Sequence, residues 1–283
     1  ELTYYHKTTK DALIARTVAP SAGASTTRFE NLGSVRNSGF EGSVRAQVLS
    51  FWDITLNGSH NDNELRDLGG VPPIVGTTIS QKEGYPLNSY WLVPFTYEDS
   101  NGDNIIVASE ITTGDSAVFI GPNMPKTELN LSSGLDLFGR KLRLSTSFDY
   151  KGGHYQLNGT ERIRCESRLN CRAFADPSAP LWEQARVVAL RETTARTQYG
   201  FVEKSSFFRF RELSATVELP ASIAQRMRSQ RVFLTAAGRN LHVWSDYSGI
   251  DPEAGYFDGG DVQTDFQTQA PPTYWTLRVN FVF

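Results

Sequence analysis

Oxygen-bearing side chains at fixed spacing are the first candidates for chemistry in this sequence. In the stretch Asp99 to Glu110, oxygen ligands stand at loop positions one, three and five (Asp99, Asn101, Asp103). Ile106 is at position eight and Glu110 at twelve, the spacing of a calcium-binding loop. Position six carries Asn104 instead of the usual Gly, and Asn tolerates the left-handed backbone that the sharp turn needs. The competing reading is a plain hairpin turn at Asn101-Gly102, with Tyr90–Tyr97 and Ile105–Val107 as flanking strands. A second acidic stretch sets Asp251, Glu253, Asp258, Asp261 and Asp265 beside Tyr256 and Phe257. Carboxylates next to aromatic rings can bind sugars by stacking and hydrogen bonding, or hold a cation. The same composition also suits a loop that is merely solvated. Cys165 and Cys171 share one loop, which reads as a disulfide in an oxidising compartment. A metal site there would need two more soft ligands, and His154 alone is poor support. The four histidines, His6, His60, His154 and His242, lie far apart, and none adjoins a Ser or Cys in a nucleophile motif. The sequence therefore reads as a non-enzyme that requires no cofactor, with Ca2+ the one ion worth testing.

The elements that must position these residues are strands. Trp275, Leu277, Val279, Phe281 and Phe283 share one parity, with Thr276, Arg278 and Asn280 between them. Period two gives a strand with one apolar and one polar face. Phe40, Gly42, Val44, Ala46 and Val48 alternate likewise, and after a short link at Ser50-Phe51 come Trp52, Ile54 and Leu56. Leu129 to Leu137, a turn at Phe138-Gly139-Arg140, and Leu142 to Tyr150 repeat the pattern. Leu213 to Leu219 and Val232 to Gly238 add two more strands. Phe207 to Arg211 is apolar on the other parity, which predicts a bulge or lumen-facing aromatics. No helix longer than a turn or two is expected. Links alternate in length, with long irregular stretches near Asn61–Tyr85, Gly152–Tyr199 and Ser245–Pro272.

Short turns at one end and long loops at the other describe an all-β transmembrane antiparallel barrel of the bacterial outer membrane. Composition agrees: 39% of residues are hydrophobic and 12% aromatic, with no run of about 18 apolar residues for a membrane helix. The formal charge of −3 with no basic block argues against a nucleic-acid partner. Glu1 to Tyr5 already reads as strand, without signal-peptide architecture, so an exported chain would be processed or incomplete.

Several stretches carry a family likeness. Asn31-Leu32-Gly33-Ser34-Val35-Arg36-Asn37-Ser38-Gly39-Phe40-Glu41 resembles a strand of TonB-dependent outer-membrane receptors. Glu83 to Leu87, Ser206 to Leu213, Gly238 to Leu241 and Tyr247-Ser248-Gly249-Ile250-Asp251-Pro252-Glu253 are similar to motifs of the SusC/RagA branch. The ordered set spans nearly the whole chain. The resemblance implies a 22-stranded, plugged barrel importing a bulky nutrient such as a glycan or peptide. It also implies energy from TonB through an N-terminal part, and a SusD-like surface lipoprotein as lid. Residues 1–283 then form the C-terminal portion of the barrel, about ten strands, with the plug and first barrel half absent. Two other readings stand beside it: a structural or adhesive outer-membrane barrel subunit, and a soluble β-sandwich carbohydrate-binding module.

The lumen-parity residues, among them Glu41, Arg45, Asp53, Arg143 and Asp149, are too polar to fill a narrow barrel. The strand near Leu2–Ile14 and the last strand, Thr273–Phe283, are therefore expected not to pair. The sheet should be an open, curved half-wall whose partner strands lie before Glu1 or in another chain.

Overall fold

The computed structural model describes residues 1–17, 27–257 and 263–283. Eight long strands make one antiparallel sheet in chain order: β1 (Leu2–Thr17), β2 (Thr27–Leu49), β3 (Trp52–Asp67), β4 (Thr127–Leu137), β5 (Leu142–Gly152), β6 (Phe207–Glu218), β7 (Arg231–Ser245) and β8 (Tyr274–Val282). Each pairs with its sequence neighbour, and β1 and β8 are the two edges. Among the described residues no ladder joins them, so the sheet is open as expected. Crossing a bilayer takes about 9–11 tilted residues. β1, β2 and β3, with 16, 23 and 16 residues, extend well past that length.

Register confirms that the alternation is one shared face. Ala46 pairs with Ile54, Leu131 with Leu56 and Phe148, Leu144 with Ala215, and Leu234 with Val279. This parity runs to Trp275 and Leu277, 73% and 71% exposed, so the apolar face has no protein cover there. The reverse face carries Gln47 against Asp53, Asp136 against Arg143, and Thr235 against Arg278. Such a wall has no dry core of its own.

The parity break at Phe207–Arg211 is a bulge. Register shifts fall between Phe210 and Glu212 and between Ser147 and Phe148. Beyond it Phe208 and Phe210 join the outward set, stacked on Phe148 at centroid distances of 5.4 and 4.7 Å. The extra residue lets consecutive Arg211 and Glu212 both find inward partners, Asp149 and Arg239 respectively.

The links at Ser50-Phe51, residues 138–141 and residues 219–230 are short, and all lie at one end. At the other end the inserts after β3, β5 and β7 have structure of their own, contrary to the irregular loops expected. They hold short strands, among them Ser89–Leu92, Val118–Pro122 and Tyr155–Asn158. They also hold a helix, α1 (Leu181–Arg191), of 11 residues. The sequence hid α1 because it is buried nearly all round: Gln184 and Arg186 are covered along with Val187, Val188 and Leu190. The core sits here. Tyr90, Leu92, Leu157, Cys165, Cys171, Val187, Leu190, Phe201 and Val202 form one buried cluster. The Tyr90 hydroxyl accepts from Leu157 N at 3.1 Å and from Asn123 Nδ2 at 3.0 Å, and burial pushes its pKa up to about 12.

Candidate functional site

The polar face of the wall is a cross-strand lattice. Arg143 on β5 reaches both oxygens of Asp53 on β3, at 2.8 and 2.7 Å, and Asp136 on β4 at 2.9 Å. Gly134 lies beneath; a Cβ there would sit 2.1 Å from Arg143 Nη2 and 2.5 Å from Asp53 Oδ2, so a side chain would make the bridge shift. Asn130 donates to Asp149 at 2.7 Å, and Lys151 pairs with Glu128 at 3.1 Å. Glu41, Ser43, Asn57, Glu128, Asn130 and Arg211 help line a concavity of about 680 Å³ on this face. Fixed charges and amides in a wide concavity can pass or hold a hydrated polar solute. His60 on β3 meets the Thr127 hydroxyl on β4 at 2.8 Å and Asp62 at 3.4 Å, a solvent-exposed contact between neighbouring strands of the wall.

At the upper end of this face a loop locks onto the wall. Arg209 on β6 donates to both oxygens of Asp251, at 2.5 and 2.7 Å, with both side chains nearly fully buried. Arg211 grips both oxygens of Glu253 at 2.9 and 3.0 Å. Two arginines two residues apart thus meet two carboxylates two residues apart. Other residues of the same stretch tie the loop to the core of the inserts. Ser248 donates through N and Oγ to Glu203, at 2.8 and 2.7 Å. Ser205 and Gln156 donate to the carbonyls of Pro252 and Ala254, at 3.2 and 2.9 Å. Tyr247 donates to Asp265 at 3.0 Å, and burial, followed by the neighbouring Asp265 charge, holds its hydroxyl far above the usual range. Asp265 is fully buried and also accepts from Thr160 at 2.7 Å. Gly249 must lack a side chain, since a Cβ there would lie 2.5 Å from Asp265 Oδ2.

This geometry revises two expectations. Asp251 and Glu253 are not free carboxylates awaiting a ligand, because their oxygens are taken by Arg209 and Arg211. The side chains of Tyr256 and Phe257, and all of Asp258 and Asp261, lie outside the described residues; the Tyr256 and Phe257 backbone pairs with Thr264 and Gln263. Nor do Asp99, Asn101, Asp103 and Glu110 converge. Asp99 accepts from the amides of Gly102 and Asn104, Asn101 from Asp103, Asp103 from Ile105, and Glu110 from Ser100 and Val107. These oxygens accept from the loop's own backbone, and the three carboxylates are not among the described groups whose ligand atoms lie within 4.8 Å of one another. Asn104 does adopt the left-handed conformation, at φ 62°. The turn is wider than Asn101-Gly102, since it links the strands Phe95–Tyr97 and Ile111–Thr113, and Ile105–Val107 is not a strand.

Cys165 and Cys171 form a disulfide with Cα atoms 5.0 Å apart, both fully buried. Glu161 lies beside them, but bonded sulfurs are not thiolate ligands, so no metal set results. His154 is buried, its Nδ1 has no partner, and burial first, then Lys151, depresses its pKa to about 4. Sequence reasoning missed Arg209, Arg211, Glu203 and Asp265 as anchors. The shared two-residue spacing of the arginines and the Asp-x-Glu pair was the available signal.

An open, alternating wall with an apolar outer face, a charged inner face and structured loops at one end defines a segment of a large outer-membrane-type β-barrel. A family model described as TonB dependent receptor-like, beta-barrel matches residues 1–163, more than half the chain, and the chain belongs to that family. Barrels of this family are bacterial outer-membrane receptors and transporters, not enzymes. TonB-dependent receptor P26 of Formosa agariphila is 26% identical over 301 residues, covering 91% of this chain and 29% of that protein. TonB-dependent receptor P3 of the same organism is 25% identical, covering 89% of this chain and 28% of its own. In fold the chain is similar to the RagAB peptide importer in the closed-closed state, with TM-score 0.70, 19% identity, 98% of this chain and 32% of that one. The structure of the RagAB peptide transporter gives TM-score 0.68 at 20% identity, with the same coverage. The chain spans less than a third of the length of these proteins.

Proposed function

We propose that these residues form part of the wall of an outer-membrane transporter that imports a bulky nutrient, such as a glycan or peptide, with energy delivered through TonB. The observation that carries the reading is the inward lattice of Arg143, Asp53, Asp136, Asp149 and Arg211. That many fixed charges suit a wide, wet interior and not a packed one. On this reading the outer face meets outer-membrane lipid. The remaining strands and a plug belong to a longer protein, as the greater length of the relatives supports. A SusD-like surface lipoprotein is the proposed partner at the loop end, in keeping with the RagAB assemblies that the fold resembles. The anchored Tyr247–Glu253 loop then serves as a rigid mount for the loop end and not as a ligand contact. Deleting the gene in its host should abolish growth on the transported glycan or peptide, and re-expression should restore it. Unchanged uptake of every glycan and peptide class tested would overturn the reading.

A further inference from the structure

The rim at the short-turn end sets exposed apolar side chains beside arginines unpaired among the described residues. Between β6 and β7 lies a helical turn, α2 (Ala221–Arg226). Val232 shares the outward parity of its register partner Phe281 and of Leu277, yet unlike them it is fully buried. Ala224 is buried too, and α2 packs against β7. The helical turn therefore lies across the outward face at the end of the wall. It exposes Ile223 and Met227, four residues apart and on one side of the turn. Arg226 and Arg228 are exposed on either side of Met227, and neither makes an ion pair among the described residues.

The next turn abuts this one, since Glu218 N bonds Lys141 O at 2.8 Å. It adds Phe138, 77% exposed, and Arg140, whose side chain is also 77% exposed. The carboxylate nearest Arg140 is Asp136 at 4.0 Å, which already serves Arg143. Residues 138–141 and 218–231 together hold Arg140, Lys141, Arg226, Arg228 and Arg231 against Glu218, an excess of four positive charges in a chain of net −3. Arg231 is spent on Glu218, at 2.7 and 2.9 Å.

We propose that this rim is a binding site for anionic glycerophospholipid in the leaflet at the turn side. Ile223, Met227 and Phe138 enter the acyl boundary, and Arg226, Arg228 and Arg140 hold the phosphate. A short apolar element lying in the interface with cations beside it suits such a surface. Guanidinium groups bind phosphate oxygens bidentately, while their stems stay along apolar surface. The patch continues the apolar face of the wall, which favours lipid over a protein partner. The proposal rests on the outer-membrane reading above.

Native mass spectrometry of the full-length protein, released from micelles holding equal phosphatidylglycerol and phosphatidylethanolamine, tests it. Wild type should retain phosphatidylglycerol preferentially. R140Q/R226Q/R228Q should reduce that preference by about fivefold per arginine removed, while R231Q should leave it unchanged. Equal retention of the two lipids, or a triple variant that behaves as wild type, overturns the site. So does loss of a co-purifying protein at constant lipid ratio. If the triple variant does not fold, as judged by migration of the unheated barrel on a denaturing gel, R226Q and R228Q singly carry the test. Failure of the outer-membrane reading would show separately, as protein absent from the outer-membrane fraction.

Discussion

Replacing Arg209 by Met should release the Tyr247–Ala254 loop while leaving the wall intact. Asp251 would keep its place but lose both guanidinium bonds, at 2.5 and 2.7 Å, within a site where both side chains are nearly inaccessible. Breaking a buried pair by removing one partner costs about 3–5 kcal/mol, because a charge is left without compensation. At about 1.4 kcal/mol per decade, local opening becomes roughly 10²- to 4 × 10³-fold more frequent. Hydrogen exchange at the amides of Ser248 and Ala254, which bond to Glu203 and to Asp251 O, reads this opening directly. Exchange within the β5–β6 ladder should stay slow, since backbone pairing there does not depend on Arg209. R209M/D251L should recover part of the loss, because the double change removes the buried charge and fills the site. Less than tenfold acceleration in R209M, or a double variant worse than the sum of its singles, would refute the anchor.

His154 stays neutral in the fold because burial depresses its pKa from an ordinary 6.5 to about 4. Its folded state binds fewer protons than its unfolded state. The stability it contributes is therefore present above about pH 6.5 and lost as pH falls toward 4. Hydrogen exchange around Ser205, whose amide bonds His154 O at 3.1 Å, should accelerate over that window, and His154→Gln should flatten the dependence. An unchanged pH profile in the variant would contradict the assignment. Cys165 and Cys171 close a ring with a sequence separation of only 6, so C165A/C171A should loosen residues 159–191 by about 2 kcal/mol without unfolding the barrel. Thiol labelling of the unreduced, denatured protein should find no reactive cysteine, and two labels would end the claim. Calcium titration by calorimetry should give no heat from the Asp99–Glu110 loop. Saturable binding abolished by Asp103→Asn would show that the loop opens its oxygens to an ion.

What the sequence disclosed and what it hid divide along physical lines. The wall strands were legible because one face is apolar and the other polar along their whole length, an alternation with nothing to blur it. Hairpin links such as Ser50-Phe51 fell where the alternation stopped and resumed. The inserts were opaque for the opposite reason. A helix buried on all sides, such as α1, shows no amphipathic stripe, and strands of two to five residues show no usable period. The calcium-like spacing of Asp99, Asn101 and Asp103 was real, but short polar side chains at alternate positions cap backbone amides as readily as they bind ions. Asp251 and Glu253 looked available because their partners, Arg209 and Arg211, lie 42 residues upstream. Composition alone cannot show that a carboxylate is already taken.

The most direct test of the central claim is the environment of successive residues along β8. In the full-length protein reconstituted in lipid, nitroxide labels placed one at a time at positions 275 to 281 report contact with oxygen in the acyl phase. Trp275, Leu277, Val279 and Phe281 should give high oxygen accessibility, and Thr276, Arg278 and Asn280 low, in strict alternation. A flat profile, or one with Arg278 on the lipid side, would contradict the reading of this chain as the wall of an outer-membrane transporter.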